Sequence, residues 1–486
     1  MYDVSDRTEP KLLKSAEFEG DYISSRMING TAYFVIRDNP IRVFEKDGEE
    51  ILPVYREGSG EQNGTNKNFT PMLPCGTVGY LPPVQADAFV ILGSISLDKG
   101  DLKKEVIVAS GQNIYSSEGN LYLAEVKYDY GWTNGNDLIP VPMPMPAIDV
   151  NAIVGKVMRV PTQRTYEEKT IVHKIALTGN GTMKYVGSGS APGHILNQFS
   201  MDEYDGKFRI ATTKGQNWQS NQQSSSNVYV FDNEMKIIGR LEGLAPGESI
   251  YSVRFMGKRA YIVTFKKVDP LFVIDIENPH APKVLGKLKI PGYSNYLHPI
   301  DENHLIGVGK DTEEAEGGNF AWYQGIKMAI FDVSDVEHPK EMHKVIIGDR
   351  GTDSYALTDH KAFLYDKEKN LLVLPVLLAE IDESVKESEG GSVVTQQRWG
   401  SMYGSYVFQG AYVYDLSLER GFVLRGRITH QENTDVFDKS GYYYGGGNYD
   451  VKRSLYIGNT LYTFSEGKLM ANSLEDLHKI KEVEWN

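Results

Sequence analysis

At 486 residues, with 41% hydrophobic and 24% charged residues, the chain has enough apolar material for a large buried core and too much for global disorder. Its 51 basic and 65 acidic residues give a formal charge of −14 with no long run of Lys and Arg, which disfavours binding to nucleic acid or to anionic lipid. Cys75 is the single cysteine, excluding an intramolecular disulfide, a Cys-rich zinc site and an iron–sulfur cluster, and no apolar run reaches the ~18 residues of a membrane span.

The first element, "YDVSDRTEPKLL" at residues 2–13, ends an apolar strand in Asp3 and places Pro10 seven positions later. The same spacing recurs at Asp275 and Pro282 and at Asp332 and Pro339. An Asp carboxylate accepts from backbone amides of a following turn and proline stops the strand, so each copy reads as strand, tight turn, strand. Lys11, Lys283 and Lys340 lead into the next strand. Residues 22–36, "YISSRMINGTAYFVI", then read as a short hairpin with Asn-Gly at its tip.

The two kinds of pair alternate from there. Strand pairs joined by polar turns occupy residues 89–108, 171–187, 228–241, 274–290, 331–342, 411–428 and 469–485. Tighter hairpins fall at 112–128, 195–213, 250–265, 295–309, 353–376 and 453–464. Four antiparallel strands recurring at a minimum spacing of ~43 residues, without a helical period, match the blade of a β-propeller. Separate β-sandwiches would not alternate the same two hairpins. Eight pairs of one kind and seven of the other predict either eight blades with an incomplete first blade or seven blades plus an extra strand pair. A single domain over residues 1–486 is expected.

The segments "YIVTFKKVDPLFVIDIENPHAPKVLGKLKIPGYSNYLHPIDENHLIGVGKD", "QGAYVYDLSLERGFVLRGRITH" and "VKRSLYIGNTLYTFSEGKLMANSLEDL" resemble a family of secreted bacterial and archaeal proteins. That family carries a C-terminal β-propeller distantly related to WD-40 repeats. The resemblance implies an extracellular or cell-surface location and transfers no catalytic residue. Because "MYDVSD" already lies inside a repeat, a leader and further chain before Met1 are expected.

With strands A to D counted from the centre outward, the long connections at 37–86, 129–169, 214–226, 310–326 and 379–409 are B-to-C and that at 429–450 is D-to-A. In alternating strands these open on one face, which marks that face as the working surface. Plugging of the central channel is the alternative. The binding candidates in these insertions are Trp132, Met143, Met145, Trp322, Trp399, Tyr442, Tyr443 and Tyr444. Pro142, Pro144 and Pro146 stiffen one insertion ahead of a helix capped by Asp149, whose Val150, Ile153, Val154, Val157 and Met158 share a face. "GYYYGGGNY" suits contact with sugar or protein. Glu313, Glu314 and Glu316 are candidate ligands of a divalent cation such as Ca2+, against the reading of a solvated acidic loop. Sequons at Asn29, Asn63, Asn68 and Asn180 are compatible with glycosylation outside the cell.

No HExxH, GxSxG, P-loop or EF-hand pattern occurs. His298 and His304, flanking "PIDEN", are candidates to meet across a hairpin, against the reading of ordinary core or turn histidines. A lone cysteine argues against a pyrroloquinoline-dependent dehydrogenase that relies on paired cysteines. The sequence therefore leads to a non-enzymatic module binding an extracellular protein or glycan, with no cofactor predicted. The alternative is an extracellular hydrolase or lyase whose site is assembled from several blades.

Overall fold

The computed structural model describes residues 1–39, 52–59, 68–81, 88–111, 113–133, 163–215, 223–265, 269–314, 321–384, 401–433, 437 and 447–485. They are almost entirely strand and turn. A short pair, β1 (Tyr2–Asp3) and β2 (Lys11–Leu12), opens the chain, followed by β3 (Lys14–Phe18). The first full sheet takes β4 (Asp21–Ile28) and β5 (Thr31–Asp38). The insertion then contributes β6 (Val54–Ser59), β7 (Thr70–Pro71) and β8 (Gly79–Tyr80) before β9 (Phe89–Ser96) and β10 (Leu102–Val108) complete it.

Six four-stranded sheets follow in sequence order. They are β11 (Asn113–Ser116) to β14 (Met183–Pro192) through β12 (Asn120–Thr133) and β13 (Gln163–Leu177), and then β15 (Met201–Tyr204), β16 (Lys207–Lys214), β17 (Ser225–Phe231) and β18 (Ile237–Leu244). Next come β19 (Ser249–Met256), β20 (Arg259–Phe265), β21 (Asp269–Asp275) and β22 (Lys283–Ile290), then β23 (Tyr293–Asp301), β24 (His304–Glu314), β25 (Ala321–Asp332) and β26 (Lys340–Ile347). The last two are β27 (Leu364–Asp366), β28 (Leu371–Glu380), β29 (Ser405–Ser417) and β30 (Gly421–Ile428), then β31 (Arg453–Ile457), β32 (Thr460–Phe464), β33 (Lys468–Ser473) and β34 (Lys479–Glu484). These are the four-stranded antiparallel blades of the expected β-propeller, with a partial unit at the start. The fold divides into two compact units, Met1–Gly215 with Tyr229–Ile238, and Gln216–Val228 with Gly239–Asn486.

The turn chemistry is as read from the sequence. Asp3 Oδ1 accepts from the Ser5 amide at 2.9 Å, Asp275 Oδ1 from Glu277 at 2.8 Å and Asp332 Oδ1 from Ser334 at 2.9 Å. Pro282 and Pro339 stand immediately before the fourth strands β22 and β26, and Pro10 immediately before β2. The hairpin tip at Asn29 and Gly30 holds both residues at positive φ, 48° and 74°, the geometry that Asn-Gly provides.

In most of the sheets the second and third strands are buried on both faces, as β20 and β28 are, which is why they read as unbroken apolar runs, whereas β32 and β33 of the last sheet alternate. In β12, Leu121 and Leu123 join a core with Tyr33, Val35 and Val90, while Tyr122 and Ala124 join one with Phe208, Ile210 and Phe231. In the second unit Tyr261, Val263 and Val273 pack on Leu297, Leu305 and Phe331. In the six four-stranded sheets the fourth strand is the outer edge, and several of these edges carry lysines, among them Lys283, Lys287 and Lys289 on β22 and Lys479 and Lys481 on β34. Charge there discourages pairing with other chains.

Irregularity repeats too. The third and fourth strands are offset by one residue at Lys174/Ile175, Val273/Ile274, Ile330/Phe331, Val413/Tyr414 and Ala471/Asn472. Each leaves one extra residue in the fourth strand, a bulge that increases local twist.

The ladder of β12 and β13 continues to Thr133 opposite Gln163, so the ends of the 129–169 insertion are strand rather than loop. Part of the 37–86 insertion folds back on its own blade. β6 pairs with β3, β8 runs parallel to β10, and Met72, Leu73 and Val78 pack with Ile36, Ile91 and Val106.

Candidate functional site

The second unit contains a cleft of about 350 Å³ beside β27–β30. Its origin is local. β27 has only three residues and pairs with β28 from Asp366↔Leu371 to Leu364↔Val373. Pro375 comes next on that side of β28 and has no N–H to donate, so the ladder stops. Its carbonyl accepts from the Ser354 hydroxyl instead. Pairing resumes for a single bridge at Asp353 and Leu377, with both backbone bonds at 2.8 Å. The gap is the cleft.

Gly351, Asp353, Ser354, Tyr355 and Thr358 line one side, Pro375 and Leu377 the floor, and Tyr406, Gln409 and Asp450 the other side. Much of the polar lining is committed. Gln409, 2% exposed, clamps Val451 by donating to its carbonyl at 3.0 Å and accepting from its amide at 2.9 Å. Asp450, 1% exposed, accepts from Gln431 Nε2 at 3.2 Å. Asp353 Oδ1 accepts from Lys310 Nζ at 3.2 Å and from the Ser354 amide at 2.9 Å. Burial lowers the Lys310 pKa, opposed by Asp353. Burial first, then the Asp450 charge, raises the Tyr355 phenol, and burial first, then Asp353, raises that of Tyr406.

Next to the cleft the Arg350 guanidinium lies between the rings of Trp322 and Tyr403, 4.4 Å from each centroid. A Cβ placed on Gly351 would stand 3.4 Å from the Tyr403 ring, so this stack adjoins the cleft wall. Among the described residues Trp322 is therefore the sequence-predicted one that adjoins the cleft wall, and its cross-strand neighbour is Glu313. Glu313 and Glu314 stand on β24 rather than in a loop, because that strand pairs with β25 out to Glu314↔Ala321. Burial first, then Asp311 and Asp349, raises the Glu313 pKa. Among the described residues no cluster of three or more His, Cys, Asp or Glu is placed to hold a metal ion. Trp132 lies on β12 opposite Arg164. Met143, Met145, Trp399, Tyr442, Tyr443, Tyr444, Glu316, Asn63 and the helix expected over 149–158 lie outside the described residues. Asn29, Asn68 and Asn180 are exposed.

His298 and His304 do not meet. His304 bonds Asp301 at 2.7 Å, whereas His298 contacts the Tyr296 hydroxyl at 2.9 Å and packs on Phe363 and Tyr365. Burial, then Arg254 and His360, holds His298 at about 4, and burial, then Lys468, does the same for His430. His430 is enclosed by the hydroxyls of Ser465 at 2.9 Å and Thr463 at 2.8 Å. Depressed histidines favour folding above their unfolded value near 6.5 and lose that contribution as pH falls toward 4. Each should weaken the protein by up to about 1.4 kcal/mol per pH unit across that window. Urea midpoints at pH 7 and 4.5 should diverge less for His430→Asn than for the wild type.

The first unit holds a buried ionic network that the sequence did not reveal. Glu125, 3% exposed, accepts from the Ser110 hydroxyl and, at 3.1 Å, from its amide, with Lys127 Nζ at 3.4 Å and His173 Nε2 at 3.5 Å. On the other face of the same sheet Glu168 bonds His194 Nδ1 at 2.9 Å.

A family profile described as Beta propeller domain matches residues 1–477. An uncharacterized protein of Methanocaldococcus jannaschii is 33% identical over 416 residues, covering 77% of this chain and 62% of the relative. One of Archaeoglobus fulgidus is 31% identical over 401 residues, covering 74% and 60%. The chain thus spans about three fifths of the length of these relatives. Among solved structures, the C-terminal WD40 domain of Sif2 aligns with a TM-score of 0.32 at 8% identity, over 66% of this chain and 69% of that one. Apo AztD from Citrobacter koseri aligns with a TM-score of 0.38 at 9% identity, over 97% and 95%.

Proposed function

Since this chain belongs to the beta propeller domain family, we propose that it is a non-enzymatic binding module, displayed outside the cell, that holds a protein or glycan in the cleft beside β27–β30. The observation that carries this reading is the state of the cleft's polar groups. Ser354 and Gln409 are engaged with the backbone of Pro375 and Val451 and Asp450 with the Gln431 side-chain amide, and among the described residues no histidine lines the cleft. Hydrolysis or elimination works through an acid and a base together within reach of the substrate, whereas Asp353, which keeps one oxygen uncommitted at the rim, has no histidine and no second uncommitted carboxylate beside it among the described lining residues. The aromatic walls of Tyr406, on β29, and Tyr355, in the 3-10 turn Tyr355–Leu357, are suited to recognition instead. The extracellular setting is supported by the family likeness seen in the sequence, and the exposure of Asn29, Asn68 and Asn180 accords with it.

The test is an array of cell-surface glycans and peptides probed with the wild type and with Tyr406→Ala. We expect roughly tenfold or greater loss of retained ligand in the variant, in line with removal of an aromatic anchor, at an unchanged urea midpoint. Turnover of a glycan or peptide by the wild type, abolished by the same substitution, would replace this reading with the hydrolase or lyase.

A further inference from the structure

We infer that the cleft recognises a cation, the lysine or arginine side chain of a polypeptide partner; this rests on the binding-module reading above. Ten described residues line the cleft, and they include two carboxylates and two phenols but no Lys, Arg or His. The Asp353 side chain is 63% exposed at the rim. Its Oδ1 is taken by Lys310 and the Ser354 amide, while Oδ2 makes no protein hydrogen bond among the described residues. Lys310 also donates to the Thr352 carbonyl, and Lys452, near the Tyr355 ring, pairs with Glu466. Lys452 is thus held by a group outside the cleft lining, and Lys310 is shared between the Thr352 carbonyl and Asp353 Oδ1, so that Oδ2 is the carboxylate oxygen left for the ligand.

Donor and acceptor balance separates a cation from a sugar. A sugar hydroxyl both donates and accepts, and seeks partners of both kinds. Here the lining donors of Ser354, Gln409 and Thr358 are committed to the Pro375, Val451 and Tyr355 carbonyls, so that apart from the phenol hydroxyls of Tyr355 and Tyr406 the wall offers carboxylate acceptors and π-faces. Lys and Arg head groups are donors only, and they gain from aromatic faces and from carboxylates in a partly desolvated cleft. Pro375 and Leu377 offer the apolar floor that a methylene stem covers while its charged end reaches Asp353. The chain's charge of −14 favours the approach of a basic partner.

The experiment titrates the whole chain with Nα-acetyl-argininamide, Nα-acetyl-lysinamide, the uncharged isostere Nα-acetyl-citrullinamide and cellobiose, following binding by equilibrium dialysis at low and high salt. The expected result is at least tenfold tighter binding of the arginine probe than of citrulline, weakened by salt. Asp353→Asn should weaken both cationic probes about tenfold and leave citrulline unchanged. Because Asp353 is exposed, its substitution leaves the core intact, and an unchanged urea midpoint verifies this. Equal binding of arginine and citrulline, preference for cellobiose, a silent Asp353→Asn, or no binding of either cationic probe would each overturn the cation assignment. If a neutral probe binds and Tyr406→Ala abolishes it, only the cation assignment fails. If ligand capture is indifferent to both Tyr355→Ala and Tyr406→Ala, the cleft reading itself fails.

Discussion

Gly309→Ala is expected to destabilise the fold by more than about 4 kcal/mol, in the range reserved for unavoidable clashes. Gly309 lies on β24 opposite Ser294, where β23 skips a residue between Ser294 and Tyr296. That offset drives the facing backbone inward, so a Cβ on Gly309 would sit 1.7 Å from the Tyr293 carbonyl oxygen and 2.8 Å from the Ser294 Cα. Both neighbours are main chain and cannot rotate away, so relief requires displacing the bulge or both strands. Similar offsets occur between the first two strands of other sheets, at Tyr22/Ser24 and Ile250/Ser252, which marks the feature as part of the repeat. Glycine within a strand is the sequence sign of such close approach. Urea denaturation measures the effect. Gly119→Ala, where an added Cβ meets nothing within 4 Å, serves as control and should change stability by no more than about 0.5 kcal/mol. Equal midpoints for the two variants would remove the argument.

The second large effect belongs to Glu125. Burial pushes its carboxyl up, but His173, the hydroxyl and amide of Ser110 and Lys127 outweigh that and hold it at about 2. Glu125→Ala leaves Lys127, 5% exposed, and His173, 1% exposed, without their shared carboxylate. Breaking a buried charge set in this way typically costs about 3–5 kcal/mol. Glu125→Gln keeps the shape and an acceptor for Ser110 and should lose less. The pH dependence has a definite sign. A carboxylate lowered from 4.5 stabilises above its unfolded value and loses that contribution as pH falls from about 4.5 through about 2, amounting to about 3 kcal/mol. The gap in stability between wild type and Glu125→Ala should therefore narrow across that acid window. A gap independent of pH would show that packing rather than charge holds the site. The histidine effect described above lies between pH 6.5 and 4, so titrating stability over both ranges separates the two.

Several features were legible because their causes are short-range. The Asp-to-Pro spacing encodes a turn closed within two residues, as the bonds from Asp3, Asp275 and Asp332 bear out. Asn29 and Gly30 encode their own hairpin. The unbroken apolar runs of β20 and β28 follow from burial on both faces. Other features were not legible. In "NLYLAEVKYD" Glu125 and Lys127 read as the polar residues of a strand, and nothing near them in sequence announces Ser110 and His173 as partners. Trp322 was singled out as an aromatic in an insertion, but its contact with Arg350, which Tyr403 shares, depends on three separate connections.

What the sequence by itself determined is the repeat: the order of strands, their tight turns and which strands lie inside, since each depends on residues within a few positions of one another. The tertiary structure alone decided the cleft. Pro375 in "LLVLPVLLAE" was a visible interruption, but its consequence, a gap bordered by Asp353, Leu377, Tyr406 and Asp450, spans about a hundred positions of chain. Groups so far apart leave no periodic trace in sequence, because their meeting is set by how sheets align rather than by local backbone preference.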